Sequence, residues 1–161
     1  MIKLHLACGP TRLEGYRNID IVPTEATDEV GDLRTLDFPP GSVSEIVIFQ
    51  TLQFFTYDEL REVLRSFHRW LGPGGRIVLS IPNFNKIVLR YPKYAYNFSE
   101  RLGGDIIGFD RWPHRSLFTP RFFKTFTSEL GFRARTIGNR GFRGSRPHWT
   151  MTSFELVRQG D

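Results

Sequence analysis

Apolar residues in this chain fall into short unbroken runs near the amino terminus and into helical spacing further on. Met1 to Gly9 (MIKLHLACG) reads as a strand of six or seven residues that runs straight into a glycine. A second apolar segment closes at Asp20 in the sequence NID, eleven residues after Gly9. Glu45 to Phe49 and Arg76 to Ile81 (RIVLSI) are continuous runs of the kind found in strands buried on both faces. Pro73, Gly74 and Gly75 turn the chain into the latter. Between these two strands Leu60, Val63, Leu64, Phe67 and Leu71 recur at helical period, which predicts a helix from about Tyr57 to Leu71. Thr56 and Glu59 have the spacing of a capping box, and Gly72 with Pro73 stops the helix. Strand, helix and strand joined by short connections imply a right-handed crossover and a parallel sheet.

The carboxyl half is patterned differently. Asn83 to Ser116 has no clean period, is rich in aromatics, and follows a strand at its carboxyl end, so it is read as a lid. Thr119 and Pro120 look like the cap and first position of a helix to Leu130, stopped by Gly131, with Phe122, Phe123, Phe126 and Leu130 on its inner face. Phe132 to Ile137 and Thr150 to Val157 read as two closing strands. Only eight residues separate Gly9 from Asn18, too few for the usual crossover helix, so a bare loop or single turn is expected there.

A strand that ends in glycine lets a ligand approach bare backbone, and a carboxylate at the end of the next strand can accept from both hydroxyls of a ribose. Three segments in this order, LHLACGPTRLEGYRNID, VGDLRTLDFPPGSVSEIVIFQTLQFF and LRSFHRWLGPGGRIVLSIPNF, resemble the strand motifs of class I S-adenosylmethionine-dependent methyltransferases. The likeness spans roughly Lys3 to Phe84 and is nearest to the short predicted-methyltransferase subgroup. It implies a Rossmann-like, mostly parallel sheet with an antiparallel final strand at its edge, from which this chain departs in the shortened first crossover helix that its eight-residue connection allows. It also implies S-adenosyl-L-methionine as cofactor. The implied cradle is Ala7, Cys8 and Gly9 around the methionine moiety, Asp20 and Ile21 at the ribose, Asp32 and Leu33 at the adenine, and Gln50 and Thr51 near the sulfonium. The chain departs from the pattern in having a single loop glycine and in placing Gln50 and Gln53 where histidines are common.

Composition narrows the acceptor more than the fold. With 161 residues, 40% of them hydrophobic, the chain makes one domain, with residues 83–118 as lid and substrate segment. Nothing in it is long and apolar enough to span a bilayer and no signal peptide opens it, so a cytoplasmic location is expected. The lone Cys8 excludes an internal disulfide and a cysteine metal cluster, and no metal is expected. Net charge is +5 and pI about 9.7, which permits an anionic partner. Two groups of residues carry candidate chemistry. GFDRWPHRSLF brings together Asp110, Trp112, His114 and Arg115, of which His114 and Asp110 are the candidate catalytic pair, because an imidazole titrates near neutral pH. Arg140, Arg143 and Arg146 lie on a glycine-bearing connection that a parallel strand would deliver to the ligand edge, and guanidinium forks pair with phosphate or carboxylate.

The reading is a methyltransferase of small molecules or glycans with an anionic acceptor. Alternatives are a nucleic-acid-binding or modifying protein, disfavoured because only 4 of 22 basic residues are lysine, and a non-catalytic partner of an active homologue. The oligomeric state is left open.

Overall fold

The computed structural model describes residues 1–90, 114–138 and 151–160. Seven strands form one sheet in the order β3-β2-β1-β4-β5-β7-β6. They are β1 (Ile2–Leu6), β2 (Arg17–Asp20), β3 (Glu29–Val30), β4 (Val43–Phe49), β5 (Leu71–Pro82), β6 (Phe132–Gly138) and β7 (Met151–Arg158). The first five pair in parallel, whereas β7 runs antiparallel to both β5 and β6. Because it is antiparallel to β7, β6 points the same way as β5, and its end lies at the same edge of the sheet. The final strand therefore sits inside the sheet, between β5 and β6, and β6 forms the edge that the resemblance had assigned to β7.

Helix α1 (Tyr57–Trp70) joins β4 to β5 and forms for the reasons its sequence suggests. The Thr56 side chain accepts from the Glu59 amide while the Glu59 side chain accepts from the Thr56 amide, so two otherwise orphaned donors are met. Leu60, Val63, Leu64, Phe67 and Trp70 are its buried face. β5 begins earlier than expected, at Leu71. Val43 pairs with Leu71 but Glu45 with Arg76, so the expected Pro73–Gly75 turn is taken up as a bulge within the strand, with Gly74 at φ +70°. A short helix, α2 (Phe84–Arg90), opens the segment in which the sequence showed no period, burying Ile87 and leaving Leu89 exposed.

Helix α3 (Pro120–Ser128) starts at a Thr119 cap whose hydroxyl accepts from the Phe122 amide. Phe123 and Phe126 are buried as expected, but Phe122 is 43% exposed. Its ring leans on Tyr57 of α1 instead of entering the core, with centroids 5.5 Å apart. Arg61 of α1 lies over the Phe126 ring and pairs with Glu129, so α1 and α3 share one face of the sheet.

The core is built on that face. Register brings Leu4, Ile46, Ile77 and Leu156 into one row across four strands and Leu6, Ile48, Leu79 and Phe154 into the next. Both rows are buried with the apolar residues of α1 and α3 in a single cluster. The opposite face alternates in character. A chain of ion pairs crosses it from Lys3 to Glu45 (3.7 Å), Glu45 to Arg76 (3.2 Å), Arg76 to Glu155 (3.6 Å) and Glu155 to Arg135 (2.7 Å). A parallel sheet usually hides both faces under helices. Here no helix stands between β1 and β2, β2 and β3, or β3 and β4.

What replaces the first crossover helix is a hydrogen-bonded hub. Asn18, fully buried in β2, donates to the carbonyls of Leu13 and Tyr16 and to Asp28, and its Oδ1 accepts from the Leu13 amide and His5 Nδ1. Asp28 in turn accepts from the Asn18 amide and pairs with Arg12 at 2.7 Å. These bonds, above all those from Asn18, hold the Asp28 carboxyl down at about 2. The expected bare loop is therefore an ordered one.

Candidate functional site

In open parallel sheets ligands bind beyond the carboxyl ends of strands where the strand order reverses, and here that point lies between β1 and β4. Both strands leave the sheet through a non-glycine residue in left-handed conformation, Ala7 after β1 and Gln50 after β4, each at φ +51°. Such backbone costs on the order of 1–3 kcal/mol and persists only where its surroundings enforce it, commonly at functional sites. The two strained residues flank the crevice.

Gly9 follows at φ +54°, with open space where a side chain would project. Its amide donates to Asp20 Oδ2 at 2.8 Å and its carbonyl accepts from the Thr24 hydroxyl at 2.7 Å. The other oxygen of Asp20 accepts from the Val22 amide at 2.9 Å. Asp20 thus clamps the loop to its own strand end. A carboxylate has about four acceptor positions, so after these two bonds two remain for the hydroxyls of a ribose. Cys8 between these elements is buried, with its sulfur 3.8 Å from the Thr27 hydroxyl, and burial pushes its thiol pKa up. It packs as a small apolar residue.

Asp32 and Leu33 follow β3. Arg34 grips the Asp32 carboxylate from Nε at 3.0 and 3.1 Å and from Nη2 at 2.5 Å, which holds the Asp32 pKa low. Any base amine reaching Asp32 must share it with this guanidinium. The Leu33 side chain is buried in the core, so only its backbone is left to meet an adenine. Ile21 is 42% exposed beside Asp20, the exposed apolar surface a ribose or base can cover. Gln50 is exposed and Thr51 half-buried, its hydroxyl donating to the Phe49 carbonyl.

The structure brings His114 and Arg115 to the same edge. Arg115 pairs with Glu59 at the start of α1 at 2.8 Å, and its amide donates to the Gln53 carbonyl in the turn after β4. The His114 ring meets Phe54 edge-on at 5.5 Å, and burial lowers its pKa, which favours the neutral, proton-accepting form. Asp110, Trp112, Arg140, Arg143 and Arg146 lie outside the described residues. Sequence reasoning missed Arg34, Asn18 and Gln53 as organisers of the site. An Asp-x-Arg spacing was the one available signal, for Arg34 alone.

Among the described residues no helix is long and apolar enough to cross a membrane, and no group of three or more His, Cys, Asp or Glu is arranged to hold a metal ion.

Comparison with known proteins agrees with this fold. The sequence model of a methyltransferase domain matches residues 16–79, beginning just beyond the atypical glycine loop. No curated protein matches the sequence. Among solved structures, an S-adenosylmethionine-dependent methyltransferase from Methanosarcina mazei is similar with a TM-score of 0.67 at 17% identity, over 98% of this chain and 91% of that one. The YcgJ protein of Bacillus subtilis is similar with a TM-score of 0.66 at 11% identity, over 99% and 92%. A Thermotoga maritima S-adenosylmethionine-dependent methyltransferase, described as a possible histamine N-methyltransferase, gives 0.63 at 11% identity, over 98% and 82%. Residues 16–79 thus resemble a methyltransferase domain, and the chain shares the mostly parallel α/β fold, with an antiparallel final strand, of these S-adenosylmethionine-dependent methyltransferases.

Proposed function

We propose that the protein transfers a methyl group from S-adenosyl-L-methionine to a small-molecule or glycan acceptor that is anionic. The observation that carries the cofactor half is the clamp at the switch point, where Asp20 holds the open Gly9 backbone and keeps acceptor positions free. In this reading Ala7, Cys8 and Gly9 line the methionine end, Asp20 and Ile21 the ribose, Asp32 and the Leu33 backbone the adenine, and Gln50 and Thr51 the sulfonium side. The cofactor supplies an electrophilic methyl on a positively charged sulfur. Transfer is an in-line displacement, so the protein's task is to align donor and acceptor and exclude water. His114, kept neutral by burial, is suited to take the proton of an acceptor hydroxyl or amine, and Asp110 is assigned to orient it. Trp112 and Arg115 are assigned to the acceptor.

Acceptor charge rests on topology. β6 ends and β7 begins at the carboxyl edge of the sheet, the edge on which the crevice opens, and this supports assigning Arg140, Arg143 and Arg146 of the intervening connection to the acceptor. Guanidinium groups there favour phosphate or carboxylate on the acceptor. Calorimetric titration with S-adenosylmethionine and S-adenosylhomocysteine tests the first half: both should bind, and absence of binding sinks the reading. Labelled methyl transfer to phosphorylated or carboxylated sugars and to their neutral parents tests the second. The triple replacement of the arginines by glutamine should raise the acceptor Michaelis constant and leave cofactor affinity unchanged. A neutral preferred acceptor would return the arginines to a solvated face.

A further inference from the structure

Beyond β4 the chain passes through Gln50 and then a single 3-10 turn, Leu52–Phe54, in which Gln53 is turned inward and is 3% exposed. Gln53 Nε2 donates to the Gln50 carbonyl at 2.8 Å, bracing the residue held at φ +51°. The backbone carbonyl of Gln53 accepts from the amides of Arg115 at 2.8 Å and Ser116 at 3.1 Å. The Ser116 hydroxyl adds a bond to the Leu52 carbonyl, and the His114 ring rests on Phe54. The returning segment is thus fastened to this one turn. Gln53 Oε1 is buried with no hydrogen-bond partner among the described residues. An apolar side chain of the same length would fill the space without stranding an oxygen. The use this position makes of the amide is its N–H.

We infer that Gln53 is a positioning residue that couples the end of β4 to the segment carrying His114. One hydrogen bond holds Gln50, on the sulfonium side of the proposed site, and two hold the segment on the acceptor side, so a shift at either end is passed to the other through one residue. The meaning of the two ends rests on the methyltransferase reading; the hydrogen bonds do not. Losing the donor frees Gln50 to relax out of the left-handed region. The turn then moves, and with it the carbonyl that Arg115 and Ser116 use.

The test is Gln53→Met, which keeps the length and removes the donor, with Gln53→Leu as a second variant should the first not fold. Amide exchange is followed by NMR in the free proteins and with S-adenosylhomocysteine. In the free variant the Arg115 and Ser116 amides should exchange at least about tenfold faster while Leu64 and Phe67 of α1 are unchanged. At saturating S-adenosylhomocysteine the protection that the ligand adds across residues 114–118 in the wild type should be lost in the variant. Unchanged exchange at Arg115 and Ser116, or ligand-linked protection that survives the substitution, overturns the inference. A wild type that does not bind S-adenosylhomocysteine refutes the cofactor reading instead, and exchange in the free proteins then decides the role of Gln53 alone.

Discussion

Replacing Asp20 with alanine should do more than remove the proposed ribose contact, because the carboxylate also builds the Gly9 loop of the proposed cofactor site. In the free protein Oδ2 accepts from Gly9 at 2.8 Å and Oδ1 from Val22 at 2.9 Å. A hydrogen bond to a charged group is worth about 1.5–3 kcal/mol net when buried. Asp20 is half-buried, so water replaces part of each bond and the stability loss should sit near the low end, about 1–3 kcal/mol in total. Binding loses the ribose hydroxyl bonds, again about 1.5–3 kcal/mol, and must also order an unpinned Gly9 loop. Since 1.36 kcal/mol is tenfold, affinity for S-adenosylhomocysteine should fall by roughly tenfold to a few hundredfold. Calorimetry on Asp20→Ala gives the affinity, and exchange at the Gly9 and Val22 amides reports the clamp. If those amides exchange faster while affinity stays within twofold of wild type, Asp20 supports the loop and holds no ribose. If neither changes, the geometry of the clamp is wrong.

Asn18→Ala removes a fully buried amide whose Oδ1 accepts two hydrogen bonds and whose two Nδ2 hydrogens serve Leu13, Tyr16 and Asp28, so urea denaturation should show a loss of about 2–4 kcal/mol; a loss below about 1 kcal/mol would mean that water replaces the hub. Gly131 stands at φ +80° with a would-be Cβ 2.7 Å from His68 Nε2. Gly131→Ala should therefore cost about 1–3 kcal/mol, and a neutral substitution would show that α3 can shift at no cost. Burial lowers the folded-state pKa of His5 and His114 from 6.5, so below that value the unfolded chain takes up protons that the native state resists. Their contribution is complete above pH 6.5 and is lost as pH falls toward the depressed values. The thermal midpoint should decline over this range, less steeply in His5→Leu; an equal slope in that variant would clear His5. Asp28, held at about 2, should add a separate loss as pH falls from 3.8 toward that value.

Local chemistry was sufficient where neighbours in sequence are also partners in space. Thr56 and Glu59 cap α1 three residues apart, Thr119 caps α3, and eight residues cannot hold a crossover helix; each of these was legible because the chain is its own environment there. Gly9 and Asp20 were readable for a related reason, since a strand ending in glycine and a strand ending in acid are local statements. Tertiary structure decided the rest. Which of β6 and β7 takes the edge depends on a hairpin inserting against β5, a choice invisible in either strand's own pattern. Phe122 has the helical phase of a core residue, but the packing of α3 against Tyr57 leaves it 43% exposed. Arg34 was an ordinary surface residue until the turn after β3 folded it onto Asp32. The left-handed backbone of Ala7 and Gln50 leaves no mark in the residue types, and the bonds from residues 115 and 116 to the Gln53 carbonyl arise only when distant segments meet. Strain of that kind is imposed from outside the residue that bears it, so the residue's own identity does not disclose it.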